Sequence, residues 1–189
     1  GTLPAADIKR LKADAFDRNN DLKPLSVVTG DIIAKNAYEW SKATESPLAQ
    51  AAVRGAEKIT IRPLLGHSGK AVKLPKGASL SYDFYSDKSG DARFTLAAIP
   101  CFQNAVKNMR VSVSIDRGEP VICQLKEVYN SKDWKFDLWR GQTLKSFYVT
   151  LPDGSHNVTI KALDDNVMID QWVLDYDVDR EYYVFPVEK

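Results

Sequence analysis

Arg110-Val-Ser-Val-Ser-Ile-Asp116, near the middle of the chain, alternates strictly between polar and apolar side chains. Val111, Val113 and Ile115 share one parity, and Arg110, Ser112, Ser114 and Asp116 the other. That is the period of a strand with one face buried and one wet. A helix cannot bury such a pattern. The next run, Asp116-Arg-Gly-Glu-Pro120, supplies a turn: Asp and Gly suit its backbone angles, and Pro opens a strand where no ladder donor is needed. Val121-Ile-Cys-Gln-Leu125 reads as the return strand, so a hairpin is predicted here. On this reading Ile115→Ala should cost roughly 2–5 kcal/mol as a core truncation, and Ser114→Ala should be close to neutral.

The same period recurs along most of the chain. Ile59 and Ile61, then Leu80, Tyr82 and Phe84, then Phe94, Leu96 and Ala98 alternate with polar residues. Phe147, Val149 and Leu151 do the same, followed by His156, Val158, Ile160 and Ala162. Pro75-Lys-Gly77, Asp87-Lys-Ser-Gly90, Pro152-Asp-Gly-Ser155 and Asp164-Asp-Asn166 punctuate these runs as turns. Val167–Tyr176 is apolar on both parities, with Val167, Ile169 and Val173 on one and Met168, Trp172, Leu174 and Tyr176 on the other. Such a strand is expected at the centre of a sheet, covered on both sides. About eight to ten short strands without alternating helices argue for an all-β, antiparallel β-sandwich, a closed barrel being the other architecture compatible with the count. Residues 4–18 have helical spacing, through Ile8, Leu11, Ala15 and Phe16, and the loop over 42–57 is expected to hold one helical turn around Leu48–Val53. The predicted organisation is therefore an N-terminal helical segment and linker over 1–24 and a sandwich over 25–189.

Composition excludes several partners. A net charge of +1 on 189 residues gives no electrostatic reason to expect nucleic acid or an anionic membrane surface. No window approaches the roughly 18 apolar residues of a membrane span. Cys101 and Cys123 are read as buried thiols in preference to a bridge, and no paired Cys or His stands at zinc spacing. No cofactor is expected. Asp164, Asp165 and Asn166, with Asp170 and Asp175, could offer oxygen ligands to Ca²⁺, but acidic turns between strands are usually just solvated.

Several motifs stand in order between about Ile32 and Pro186: Ala34–Trp40, Leu65-Gly-His-Ser-Gly-Lys-Ala-Val72, Phe94–Pro100, Val111–Asp116 with Pro120, Trp134, Leu151-Pro-Asp-Gly-Ser-His-Asn-Val-Thr-Ile160 and Val167–Asp175. Taken together in this order, they resemble the C-terminal domain of glycoside hydrolase family 115, the xylan α-glucuronidases. The resemblance implies a jelly-roll-like sandwich similar to carbohydrate-binding modules. It places the catalytic machinery upstream of this chain, so no catalytic residue is carried over. The implied partners are a polysaccharide or the upstream catalytic domains, with a homo-oligomer left open, and the implied location is periplasmic or extracellular. The expected role is a non-catalytic accessory domain, supporting catalytic domains through packing or oligomer contacts. A carbohydrate-binding module for a plant glycan such as glucuronoxylan is the alternative, and a free-standing hydrolase ranks last.

Sugar binding needs flat aromatic faces for C–H groups and polar side chains for hydroxyls. The best concentration is Tyr129, Asn130, Asp133, Trp134, Trp139 and Arg140, on a stretch that reads as loop. Against this, Trp134 and Trp139 could simply seal the following strand. Tyr82 and Phe84 fall on the buried parity. Tyr182-Tyr-Val-Phe-Pro186 reads as an aromatic tail. His156 reads as a turn-bridging or core residue, since no nucleophile has a recognisable elbow. His67, between Gly66 and Gly69, is a weak exposed candidate.

Overall fold

The computed structural model describes residues 31–101 and 107–182. The helix predicted over 4–18, the junction at 24–25 and the aromatic tail beyond Tyr182 lie outside these residues. Among the described residues eleven strands are formed: β1 (Ile32–Asn36), β2 (Lys42–Thr44), β3 (Thr60–Pro63), β4 (Lys70–Leu74), β5 (Ser79–Ser86), β6 (Gly90–Ala98), β7 (Arg110–Ile115), β8 (Val121–Gln124), β9 (Thr143–Leu151), β10 (Gly154–Ala162) and β11 (Val167–Asp175). Two helices are described as well, α1 (Pro47–Gln50) and α2 (Lys132–Arg140).

The strands make two antiparallel sheets packed face to face, so the architecture is a sandwich. The first runs β3-β4-β11-β6-β9, with β1 also pairing β11; the second runs β2-β5-β10-β7-β8. Within the second sheet the predicted hairpin is present, Val111 opposite Cys123 and Val113 opposite Val121. Its turn uses positive φ at Asp116 (53°) and Arg117 (59°), not at Gly118, and the Gly118 N–H donates to the Ile115 carbonyl at 2.9 Å. Positive φ at both central residues is the type I′ pattern, and it sits within the longer connection between the paired Val113 and Val121. Val111 and Val113 are buried as predicted, but Ile115 at the strand end is only partly so. The core-truncation test therefore belongs at Val113.

Most of the other predicted turns are not hairpins. β9 lies in the first sheet and β10 in the second, so Leu151-Pro-Asp-Gly154 carries the chain across the sandwich. The turns after β4, β5 and β10 do the same. Alternation marks a strand's inner face but not the sheet that face belongs to. β3 is likewise short and exposed along its length, because it forms one edge of its sheet.

At the centre, Trp172 is fully buried with Phe94, Tyr82 and Phe84 around it at ring separations of 5.5–5.7 Å. Phe147 stacks on Phe94 at 5.1 Å. The Tyr82 hydroxyl donates to the Ala37 carbonyl at 2.6 Å, and burial raises its pKa. β11 is covered on both sides, as predicted, but its parities are not the predicted ones. Ile169 pairs with Ala98 and Gln171 with Ala97, so Asp170 is an extra residue, a β-bulge. After the bulge the alternation flips. Val167, Ile169, Trp172 and Leu174 share the main core, while Val173 joins Ile32, Ala34 and Ala97 in a second cluster.

The bulge turns the fully buried Asp170 carboxylate toward the loop after β3. It accepts from the His67 N–H (2.8 Å), the Ser68 N–H (3.1 Å), the Ser68 hydroxyl (2.5 Å) and the Gln142 amide (2.8 Å). Gly66 packs so closely that a Cβ would sit 2.4 Å from Asp170 Oδ1. The other acidic side chains of this region also have protein partners. Asp164 takes Arg110 in a fork, Nε at 2.8 Å and Nη2 at 3.1 Å, and Arg110 holds its carboxyl below the usual range. Asp165 accepts from the Lys76 N–H. The buried Asp175 is paired with Arg180 at 3.0 Å and bonded by the Tyr182 hydroxyl. Cys101 and Cys123 remain thiols, and burial raises the pKa of Cys123.

Candidate carbohydrate-contact surface

The stretch read as loop after Lys126 contains a helix. Ser131 caps α2 by accepting the Trp134 N–H at 3.1 Å, Asp133 lies in its first turn and Arg140 in its last. Gly141, at φ 77°, closes it through a bond to the Asp137 carbonyl. Each is a standard helix-end signal: N-cap serine, acid at the positive end, base at the negative end, glycine in the left-handed region. Those signals stand in the sequence. The 3.6 period does not, because Phe136 and Trp139 point outward while Trp134 and Asp137 are more buried.

The structure gathers the predicted residues on this one element, in different settings. Asn130 (φ 62°) is the turn residue before the cap. Tyr129 is exposed and meets the half-buried Trp134 edge-on at 5.0 Å. Asp133 is exposed in the first turn. Trp139 is 85% exposed, and its ring lies 6.2 Å from Phe136 at 50°. The Arg140 guanidinium lies 4.4 Å above the Phe136 ring, a cation–π contact. No carboxylate among the described residues pairs with it. Tyr129, Phe136 and Trp139 are thus exposed and Trp134 half-buried, and the neighbouring rings are not coplanar. Phe136, absent from the sequence-based set, joins Trp139 and Arg140 in one outward group.

Beside this group lies a groove of about 350 Å³. Phe136 and Arg140 form one wall and Arg180, Glu181 and Tyr182 the other. Its floor is the outward side of β6 and β9: Arg93, Thr95, Leu144 and Ser146. Thr95 and Ser146 share a hydroxyl hydrogen bond of 2.8 Å. Arg93 is fixed by bonds to the carbonyls of Val178 and Arg180. The volume lies at the small end of the ~300–1,000 Å³ of small-molecule sites. A larger cavity, about 730 Å³, lies among the turns near Pro47, Lys76 and Asn166, but no aromatic side chain lines it.

His67 is exposed, and its Nε2 donates to the Arg140 carbonyl at 2.9 Å, capping the end of α2. His156 is buried between Asp116 (Nδ1 to Oδ2, 2.6 Å) and the Pro152 carbonyl (Nε2 to O, 2.7 Å), a bridge between turns as the sequence implied.

The model of the glycosyl hydrolase family 115 C-terminal domain matches residues 30–188. The chain belongs to this family. Among solved structures, this family 115 domain is similar to BtGH115A, a 4-O-methyl-α-glucuronidase with specificity for decorated arabinogalactans, at 25% identity and TM-score 0.56. The match covers 72% of this chain and 17% of that enzyme, so the domain corresponds to a small part of it. The C-terminal family 6 carbohydrate-binding module of LamC from Zobellia galactanivorans matches at 15% identity and TM-score 0.52, over 76% of this chain and 98% of that one. A family 35 module from Clostridium thermocellum matches at 12% and 0.52, over 76% and 98%. These two likenesses show the fold alone, a carbohydrate-binding-module sandwich. No curated protein matches the chain.

Proposed function

We propose that this domain is a non-catalytic accessory module of a glycan-degrading enzyme, and that the α2 groove holds a plant glycan, glucuronoxylan being the first to try. The observation that carries this reading is Trp139, 85% exposed next to Phe136, which with the Arg140 stacked on it lines a polar-floored groove. A large aromatic ring kept in water gains nothing in folding, whereas it can stack on a sugar's C–H face. Such a module would work with its enzyme in the periplasm or outside the cell. Calorimetric titration with xylan oligosaccharides tests it. Trp139→Ala should lower affinity at least tenfold, about 1.4 kcal/mol, and an affinity equal to wild type would refute the assignment.

A second reading, contact with upstream catalytic domains or another copy, is favoured by a separate observation. Val128, Tyr129, Phe136 and Trp139, on α2 and the residues leading into it, are all exposed. Clustered exposed apolar side chains mark interaction surfaces. Light scattering of the chain at rising concentration checks the oligomeric part; a strictly monomeric mass at high micromolar concentration would count against it.

A further inference from the structure

We propose a second glycan-binding face on the opposite side of the sandwich, a trough across the outward surface of β2, β5 and β10, closed by the turn after β7, that takes a neutral oligosaccharide. It goes beyond the α2 reading and does not depend on it. Small polar residues line it, Ser81 on β5 and Ser155, Asn157 and Thr159 on β10, and the turn after β7 adds Asp116 and Arg117. Short side chains at mid-sheet between longer ones at the margins leave a depression. Two cavities, about 630 and 480 Å³, share Asp83, Asp116 and Asn157 and so form one trough. It spans β2 to the end of β7, three strand spacings or roughly 14 Å, room for a short sugar chain.

Its polar groups are already ordered. Ser81 and Thr159 hydroxyls bond at 2.7 Å, Thr159 donates to Asn157 Oδ1 at 3.1 Å, and Asn157 Nδ2 donates to Asp83 Oδ1 at 2.8 Å. Groups fixed in advance lose little entropy when sugar hydroxyls bind them. The end wall is a strained turn. Asp116 and Arg117 both hold positive φ, a region that costs non-glycine residues roughly 1–2 kcal/mol each. His156 and the Asn157 N–H grip the Asp116 carboxylate at 2.6 and 2.8 Å, so the strain is maintained where the trough needs a fixed acceptor. Lys42, Arg117 and the His156 ring offset Asp83 and Asp116 along the walls, so hydrogen bonding and stacking are left to hold a ligand, which suits a neutral sugar. Tyr85, 67% exposed at one end, offers a ring face for stacking.

The test is an amide NMR titration of the whole chain with xylohexaose and, separately, β-1,3-galactotriose. The expected result is shifts at residues 81–85 and 155–159 with at least one probe, retained in Trp139→Ala. Tyr85→Ala should weaken binding at least tenfold, with a spectrum otherwise unchanged because its side chain is exposed. Asn157→Ala, at a different point in the trough, should weaken it as well. Shifts confined to α2 and its groove, abolished by Trp139→Ala and untouched by Tyr85→Ala, would overturn this face alone. No shift with either probe at millimolar concentration would overturn it together with the α2 reading.

Discussion

Asp170→Ala should loosen three parts of the domain at once. The carboxylate is fully buried and accepts four hydrogen bonds, from the 66–68 loop and from Gln142. Each bond to a charged acceptor contributes about 1.5–3 kcal/mol net, so the gross loss is roughly 6–12 kcal/mol. Two offsets reduce it. Removing a buried charge recovers its desolvation cost, several kcal/mol. Gln142 also keeps its bond to Gln171 Oε1 at 2.9 Å, and the Ser68 hydroxyl can rotate toward water. What stays stranded is the pair of backbone N–H groups at His67 and Ser68. A net destabilisation of about 3–5 kcal/mol is expected, the gross loss less these offsets. Asp170→Asn, which keeps one acceptor oxygen, should fall roughly midway.

Urea unfolding reads this directly. With a slope of about 2 kcal/mol per molar, the Ala variant's midpoint should fall by about 1.5–2.5 M. Hydrogen exchange should show the His67 and Ser68 amides losing protection ahead of the core. Because His67 also caps α2 through the Arg140 carbonyl, glycan affinity at Trp139 should weaken even though Asp170 touches no sugar. A loss below about 1 kcal/mol, with both amides still protected, would show that water replaces the carboxylate and refute the latch.

Gly66→Ala attacks the same latch from the other side; its Cβ would meet Asp170 at 2.4 Å with φ at 79°, so a loss of about 2–4 kcal/mol is expected from the same urea curves. Val113→Ala, at a buried position of the central hairpin, should cost about 2–3 kcal/mol and Ser114→Ala within ~0.5 kcal/mol of zero; equal losses would mean the strand's faces are misassigned. His156 lies between two acceptors, so both ring nitrogens must carry protons. Burial works against that charge, but the bond and attraction to Asp116 and the Pro152 carbonyl outweigh it and raise its pKa. Its contribution to stability is therefore complete below about pH 6.5 and disappears as pH rises through the higher folded-state value. Wild type should lose stability between pH 6 and 9 relative to His156→Gln, measured by urea midpoints; parallel pH curves would contradict the charged bridge.

The local parts of this fold were legible in the sequence, and the parts that depend on distant partners were not. Val111, Val113, Leu80, Tyr82 and Phe94 announce their faces because a strand's side chains alternate whatever it pairs with. That rule is silent on which sheet a strand joins, so Pro152-Asp-Gly154 reads as a hairpin turn when it crosses between sheets. One inserted residue defeats the rule altogether. Asp170 looks like any outward position, yet it reverses the faces of Trp172 and Val173, and only its bonds to the distant His67, Ser68 and Gln142 explain its presence. The same division runs through the candidate site. Tyr129, Trp134, Trp139 and Arg140 could be nominated by composition, but Phe136 joins them only because Ser131 and Gly141 delimit a helix whose apolar residues face both ways. A helix that turns Trp139 and Phe136 to solvent departs from the pattern that burial imposes on surface helices. Such a departure is where folding alone stops accounting for the sequence, and on α2 it coincides with the groove. The small polar residues opposite, on β5 and β10, obey the strand rule fully, which is why their trough emerges only once these strands and the turn after β7 are set side by side.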